Sequence, residues 1–244
     1  MTQFRQPVSM DERKAKATAW ALTFADMVTL LLTFFVLLLV ILNDAEKQID
    51  AVINKLLDDT YEKMNDDLSS ATVSVDRVTK GIKITIRGNL FKSTAADVEP
   101  EYYPVIHQIG KIIRESDVIN IFDDAGYANI LELIHNRGSQ LNVEVRCEGH
   151  TDDEKLPPNS DYPSNWELSA ARSLNLVRIM NKYAAMPEKY FSAMGYGEFR
   201  PIIDVGSIRN PEEKRKARAI NRRVEIYLDA FLKKKVLSEI KINV

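Results

Sequence analysis

The 244-residue chain has a single cysteine, which excludes an intramolecular disulfide framework and a Cys-rich zinc module. Its 33 Lys+Arg nearly balance 35 Asp+Glu, so it lacks the strongly basic domain or stripe usual in nucleic-acid binders. No Walker loop, GxSxG elbow or HExxH helix occurs, and Gly195 with Gly197 reads as a turn, not a phosphate cradle. There is no internal repeat. Catalysis, an organic cofactor and a nucleic-acid partner are therefore not expected. The totals, 45% hydrophobic with 9 Gly and 9 Pro, are those of an average soluble domain.

Those totals conceal one long apolar run. Residues 20–42 read WALTFADMVTLLLTFFVLLLVIL and hold one formal charge, Asp26. A helix of about 23 residues spans roughly 34 Å, slightly more than the ~30 Å hydrocarbon core of a bilayer. A cleavable signal peptide has a shorter apolar region followed by small residues, whereas Leu42 runs into Asn43, Asp44, Ala45 and Glu46. The leader, residues 1–19, carries Arg5, Arg13, Lys14 and Lys16, so the positive-inside rule places the N-terminus in the cytoplasm and everything after Leu42 outside it.

A carboxylate within a membrane helix costs roughly 2.5–3.5 kcal/mol at the centre of the span and normally faces protein or water. Thr29 and Thr33 follow Asp26 by three and seven residues and Thr23 precedes it by three, so one polar stripe runs along a helix otherwise made of Leu, Phe and Val. Such a stripe suits uptake and release of a cation. The other reading is structural: Asp26 snorkels to the headgroups or pairs with a neighbouring helix. A single helix cannot enclose an ion path, so transport requires a partner with several membrane helices.

Residues 43–70 turn polar, with Ile49, Val52, Ile53, Leu56, Leu57, Met64 and Leu68 at helical spacing. This pattern fits a stalk pairing with a second copy, or an amphipathic helix lying on its own domain or on the membrane surface. The rest reads as an α+β domain over 71–229: strands at 72–78 and 81–87, helices at 102–114 and 165–183, a strand from Leu141, and a closing strand at 223–228. Residues 116–140 contain the helical-looking ANILELIHN, and residues 230–244, with Lys233, Lys234 and Lys235, read as a basic helical tail.

Cys147, His150 and Asp152 lie close in sequence, but one Cys and one His make no zinc motif, and strand alternation puts Cys147 and His150 on opposite faces. No metal is expected from them. More distinctive are EGHTDDEKLPPNSDYPSNWELSAAR at 148–172, GYGEFRPI at 195–202 and NRRVEIYL at 221–228. These blocks resemble the OmpA-like peptidoglycan-binding domain, with PSNWELSAAR and GYGEFRP nearest the MotB-type motor subunits. WALTFADMVTLLLTFF likewise resembles the single membrane helix of MotB and PomB proteins, in which the aspartate matching Asp26 carries the ion.

The resemblance implies a chain anchored in the bacterial cytoplasmic membrane whose outer domain holds the peptide stem of peptidoglycan. Asp152 and Arg172 match the residues that grip the two charged ends of a diamino acid, while Thr151, Asn165 and Leu168 match other pocket positions. A zwitterion needs a carboxylate for its ammonium and a guanidinium for its carboxylate. Arg222 and Arg223 are expected on opposite faces of a strand, with Arg223 the one facing ligand. The family further implies two copies inside a ring of five MotA- or ZorA-like subunits, turned by H+ or Na+. The 116–140 segment is an insertion relative to the usual flagellar pattern, and the short linker resembles the arrangement in the Zorya anti-phage systems, whose ZorB is a MotB relative; a flagellar stator and a passive membrane-to-wall tether are the alternatives.

Overall fold

The structure, a computed structural model, describes residues 9–88, 90–92 and 94–235, so Arg5 of the leader and the tail beyond Lys235 lie outside the described residues. The chain divides into two units, Met1–Ala51 and Val52–Val244. One helix, α1 (Met10–Leu68), contributes to both. In the first unit, Thr18–Ile41 has a mean hydropathy of 2.6 and none of it is buried within the chain, as expected of a segment whose apolar surround is lipid.

In the second unit the last turns of α1 lie on their own domain. Ile53, Leu56, Leu57, Met64 and Leu68, at helical spacing, are all buried. Arg77 ties the polar flank down, donating to Asp58 at 2.7 Å and to Asn54 at 2.8 Å. Of the two readings of this segment, the helix packed on its own domain is the one observed for residues 52–68.

The remainder is a five-stranded sheet in the order β1-β2-β5-β3-β4. β1 (Val73–Val78) and β2 (Gly81–Arg87) form a hairpin; β5 (Arg223–Lys234) pairs antiparallel with both β2 and β3 (Ser139–His150). β4 (Phe191–Gly195) runs parallel to β3, a pairing that requires a crossover, supplied by α5 (Asn165–Ala184). α2 (Tyr103–Glu115) packs with α5; α3 (Asp117–Asn120) and α4 (Ala128–Asn136) fill the 116–140 segment; α6 (Pro211–Asn221) leads into β5.

Alternation decides which face is dry. Ile82, Ile84, Ile86, Val143, Val145, Cys147, Val224, Ile226 and Leu228 point to one face and are buried with Ile106, Ile109 and Ile113 of α2 and Leu168, Leu176 and Met180 of α5. The opposite face carries Arg146, Glu148, His150, Arg223, Glu225 and Tyr227.

Two expectations need correction. The basic segment 230–234 is not helical: β5 continues to Lys234, where it pairs with Ser139, because Ala230 and Leu232 alternate onto the ladder to Val143 and Leu141. Gly195, expected in a turn with Gly197, instead ends the edge strand β4, whose FSAMG lacks the alternation that announces a strand.

Gly149 and Gly195 stand side by side in the β3/β4 register, directly under α5. A Cβ on Gly149 would meet the Ser169 carbonyl oxygen at 2.3 Å, and one on Gly195 the Ala170 amide nitrogen at 2.3 Å. The obstruction is backbone, so it cannot rotate away. Gly195→Ala is expected to destabilise the outer domain by about 1–3 kcal/mol in denaturant unfolding of the full chain. Gly126→Ala, whose Cβ would meet only the Asp124 side chain at 3.2 Å, should lie near zero.

Candidate functional site

Three groups of residues deserve separate description, beginning with the apolar helix. Asp26 is its one acidic residue between Thr18 and Ile41. Thr29 donates to the Asp26 carbonyl at 2.8 Å and Thr33 to that of Leu30 at 2.8 Å, while Thr23 donates to Trp20 at 2.9 Å. Each hydroxyl proton is therefore engaged within the helix, leaving oxygen lone pairs along the Asp26 stripe. That satisfies the hydroxyls in lipid and orients them as acceptors.

The second group surrounds a cavity of about 390 Å³ at the end of the sheet where β3 finishes and β5 begins. Its walls include Thr151, Asp152, Asn165, Leu168, Arg172 and Arg223, so all six outer-domain residues expected from the sequence converge on it. α5 places three of them. Its start is fixed by Ser164, which accepts from the Trp166 amide at 3.1 Å and bonds to Glu167, a reciprocal cap legible in the sequence S-N-W-E.

Asp152 is buried and already engaged: its Oδ2 accepts from Arg222 at 2.6 Å and its Oδ1 from the Glu154 amide at 3.1 Å. Asn165 braces the loop that follows, donating to the Glu154 carbonyl at 2.9 Å and to Glu198 at 2.8 Å. Arg218 clasps the same loop from α6, at 2.7 and 3.0 Å to Asp153 and 2.5 Å to Glu154. Arg172 donates to the carbonyls of Ala95 and Lys92 at 2.9 and 3.1 Å and lies 5.0 Å from the Phe91 ring centre. Burial lowers its pKa to about 10, against the opposing pull of Asp152, so it stays cationic at neutral pH. Thr151 is buried with its hydroxyl unpartnered among the described residues.

The expected choice between Arg222 and Arg223 does not hold, since both line the cavity. Strand alternation fails there because Arg222 is the C-cap of α6 and precedes the strand. Arg222 holds Asp152, whereas Arg223 donates to Glu225 at 2.6 Å and to the Arg200 carbonyl at 3.2 Å. Phe91 and the Lys92 and Ala95 carbonyls also escaped the sequence reading, lying in a polar loop with no periodicity.

The third group lies on the charged face. Glu148 pairs with Arg146, which also donates to Asp229 at 2.9 Å; Tyr227 donates to Glu225 at 2.7 Å. His150 is buried, stacked on Tyr196 at 5.3 Å, and neither ring nitrogen has a hydrogen-bond partner among the described residues. Cys147 points to the opposite face, so it does not join His150; burial pushes its thiol up to about 12.

Burial, reinforced by Arg223 and opposed by Glu225, lowers the His150 pKa from 6.5 to about 4. Between those values the unfolded chain binds a proton that the folded domain refuses. His150 therefore leaves the domain fully stable above pH 6.5 and costs stability as the pH falls toward 4. The slope is about 1.4 kcal/mol per pH unit for one proton. Unfolding followed from pH 6.5 to 4.5 should show this slope, and His150→Gln should flatten it.

Two family models match the chain in order: the membrane MotB of the proton-channel complex MotA/MotB over residues 6–59, and the OmpA family over residues 114–218. The protein YtxE of Bacillus subtilis (strain 168) is 26% identical over 250 residues, covering 93% of this chain and 94% of its own length. Motility protein B of the same organism is 27% identical over 248 residues, covering 86% and 90%. A putative MotB-like protein from Desulfovibrio vulgaris has the same fold, with TM-score 0.54 at 19% identity over 76% of this chain and 98% of that one. So does the cell wall anchor of the T6SS from Pseudomonas aeruginosa, with TM-score 0.51 at 24% identity over 70% and 97%. The chain is thus similar to the MotB model in its N-terminal segment and to the OmpA family in its outer domain, and it aligns with nearly the whole of Motility protein B.

Proposed function

We propose that this chain is the ion-carrying, wall-anchored B subunit of a rotary motor. The observation that carries the reading is the coexistence, on one chain, of a lone carboxylate in an apolar helix and a charged, buried cavity in an outer domain. With the N-terminus in the cytoplasm, residues 20–42 span the membrane and the domain from residue 71 onward faces the cell wall.

In this account Asp26 takes up a cation on one side and releases it on the other, the Thr29 and Thr33 oxygens lying along its path. A MotA-type membrane subunit closes that path, five copies around a pair of this chain. The charged and neutralised forms of Asp26 favour different positions of the ring, and their alternation drives rotation. Each elementary charge crossing the membrane supplies about 2.3 kcal/mol per 100 mV. The ion is a proton, for which one carboxylate is sufficient; Na+ is the alternative that the threonine oxygens would serve.

The cavity receives the zwitterionic end of a peptidoglycan diamino acid. Its carboxylate meets Arg172, fixed by two carbonyls, and its ammonium meets Asp152, sharing it with Arg222. Thr151 offers an unpartnered hydroxyl, Leu168 an apolar wall, Asn165 braces the rim and Arg223 adds positive charge at the floor. Held in this way, the pair of membrane helices resists the torque on the ring.

Motility is the output we favour. The short linker, which resembles that of a Zorya-type defence motor, and the 116–140 segment lie within an alignment reaching 90% of the length of Motility protein B. A neighbouring gene for a MotA-like protein with a long cytoplasmic tail, accompanied by nucleases or helicases, would instead favour defence.

Asp26→Asn should leave assembly with the MotA-type subunit intact and abolish ion flux in co-reconstituted vesicles. A conducting variant would contradict the mechanism, and a wild-type chain that carries no ion would favour the passive tether. Asp152→Asn and Arg172→Ala should each weaken binding to isolated cell-wall sacculi on the order of 10- to 100-fold, the loss of one charged hydrogen-bonding partner. Undiminished binding would sink the assignment of the cavity.

A further inference from the structure

Glu148 and Glu225 face each other across the β3/β5 register and are 3% and 7% exposed; neither lines the cavity, whose wall His150 joins. Each carboxylate has Oε1 held by an arginine: Glu148 by Arg146, and Glu225 by Arg223 at 2.6 Å. Their Oε2 atoms both turn toward His150, lying 3.9 and 3.8 Å from its Nε2; that of Glu225 also accepts from the Tyr227 hydroxyl at 2.7 Å, which leaves it a further lone pair. The two separations from Nε2 are too long for hydrogen bonds. The imidazole, 3% exposed and stacked on Tyr196, thus lies between two carboxylate oxygens with neither nitrogen hydrogen-bonded among the described residues. A buried polar group without a partner costs free energy unless something occupies the gap.

We propose that Glu148, His150 and Glu225 form a binding site for one divalent transition-metal ion, with Zn2+ the best match to this donor set. The three ligand atoms lie within 4.8 Å of one another. Zn2+ accepts imidazole nitrogen and carboxylate oxygen at about 2.0–2.2 Å, which places neighbouring donors about 3.4 Å apart in a tetrahedron. To reach that geometry the two glutamate oxygens close on Nε2 by roughly half an ångström and on each other by up to about 1.4 Å. Ca2+ takes 6–8 oxygen ligands and Mg2+ a near-ideal octahedron, more oxygen than this buried set provides.

Asp229 shares Arg146 with Glu148, so three carboxylates face the two arginines bonded to them; Arg200 stands one ring away, 3.7 Å over Tyr196. A neutral imidazole supplies a nitrogen lone pair to such an ion. The arginines then serve as the outer partners that orient carboxylate ligands. Thr85, opposite Glu225 in β2, is 1% exposed with an unpartnered hydroxyl, a further donor on the same face. An ion here would tie β3 to β5 immediately before Thr151 and Asp152 enter the cavity.

The test is a Zn2+ titration by calorimetry of the full chain in detergent, after chelator stripping, with elemental analysis following desalting. One Zn2+ per chain is expected, together with a higher unfolding temperature of the outer domain and an X-ray absorption shell of nitrogen and oxygen only. His150→Gln should weaken binding at least tenfold. Glu148→Gln, which keeps the side chain's shape, should do the same, so that loss of binding is separable from loss of fold. Cys147→Ser should bind as wild type. Retention of less than one tenth of an equivalent, wild-type affinity in either variant, or sulfur in the shell would overturn the proposal.

Discussion

The close approach of α5 to the sheet governs the arrangement of the outer domain. Gly149 and Gly195, paired across β3 and β4, leave no side chain between the strands and the Ser169–Ala170 backbone. The Ser169 hydroxyl then accepts from the Gly197 amide at 2.9 Å, fixing the turn after β4 to the same helix. With α5 seated at this depth, Asn165, Leu168 and Arg172 arrive beside the β3 terminus and its Thr151–Asp152 pair. The cavity is therefore a consequence of backbone packing, and its charged groups are held by carbonyls and loops instead of being free on a surface.

Its electrostatics follow from that placement. Arg172 is buried yet cationic because two carbonyls and the Phe91 ring replace its water, and Asp152 is buried yet paired because Arg222 reaches it. Buried charges persist in proteins only under such compensation. A zwitterionic ligand, as proposed, would maintain the compensation on entering, since each of its charges would replace or join one already there. The membrane helix poses the opposite problem: Asp26 has no basic residue to pair with on its own helix within the Thr18–Ile41 span.

Much of this was legible in sequence. Period-two alternation announced β1 and β2, and helical spacing announced α2 and α5 within a residue or two. The outer site was legible through the wording of GHTD and NWELSAAR, which placed Asp152 and Arg172 in one pocket before any geometry was known. Hidden features share a physical cause, namely that they depend on pairing between distant segments. β4 is short, small-residued and half-exposed because it is an edge strand pressed on a helix. Lys233 and Lys234 looked like a solvated tail, and only the ladder to Gln140 and Ser139 makes them strand. Arg222 was misplaced because the helix cap before β5 interrupts alternation. Glu148 and Glu225 meet only through strand register, which no local pattern reports.

The chain thus joins two sites of different chemistry, an isolated carboxylate in lipid and a paired carboxylate and guanidinium in a cavity, and the account of its function rests on the second being a zwitterion receptor. The most direct measurement is displacement of the full chain from isolated sacculi by free small molecules. A diamino acid bearing both an ammonium and a carboxylate at one end should release the chain, whereas a diamine lacking the carboxylate and a dicarboxylate lacking the ammonium should not. Equal release by all three, or by none, would contradict the account.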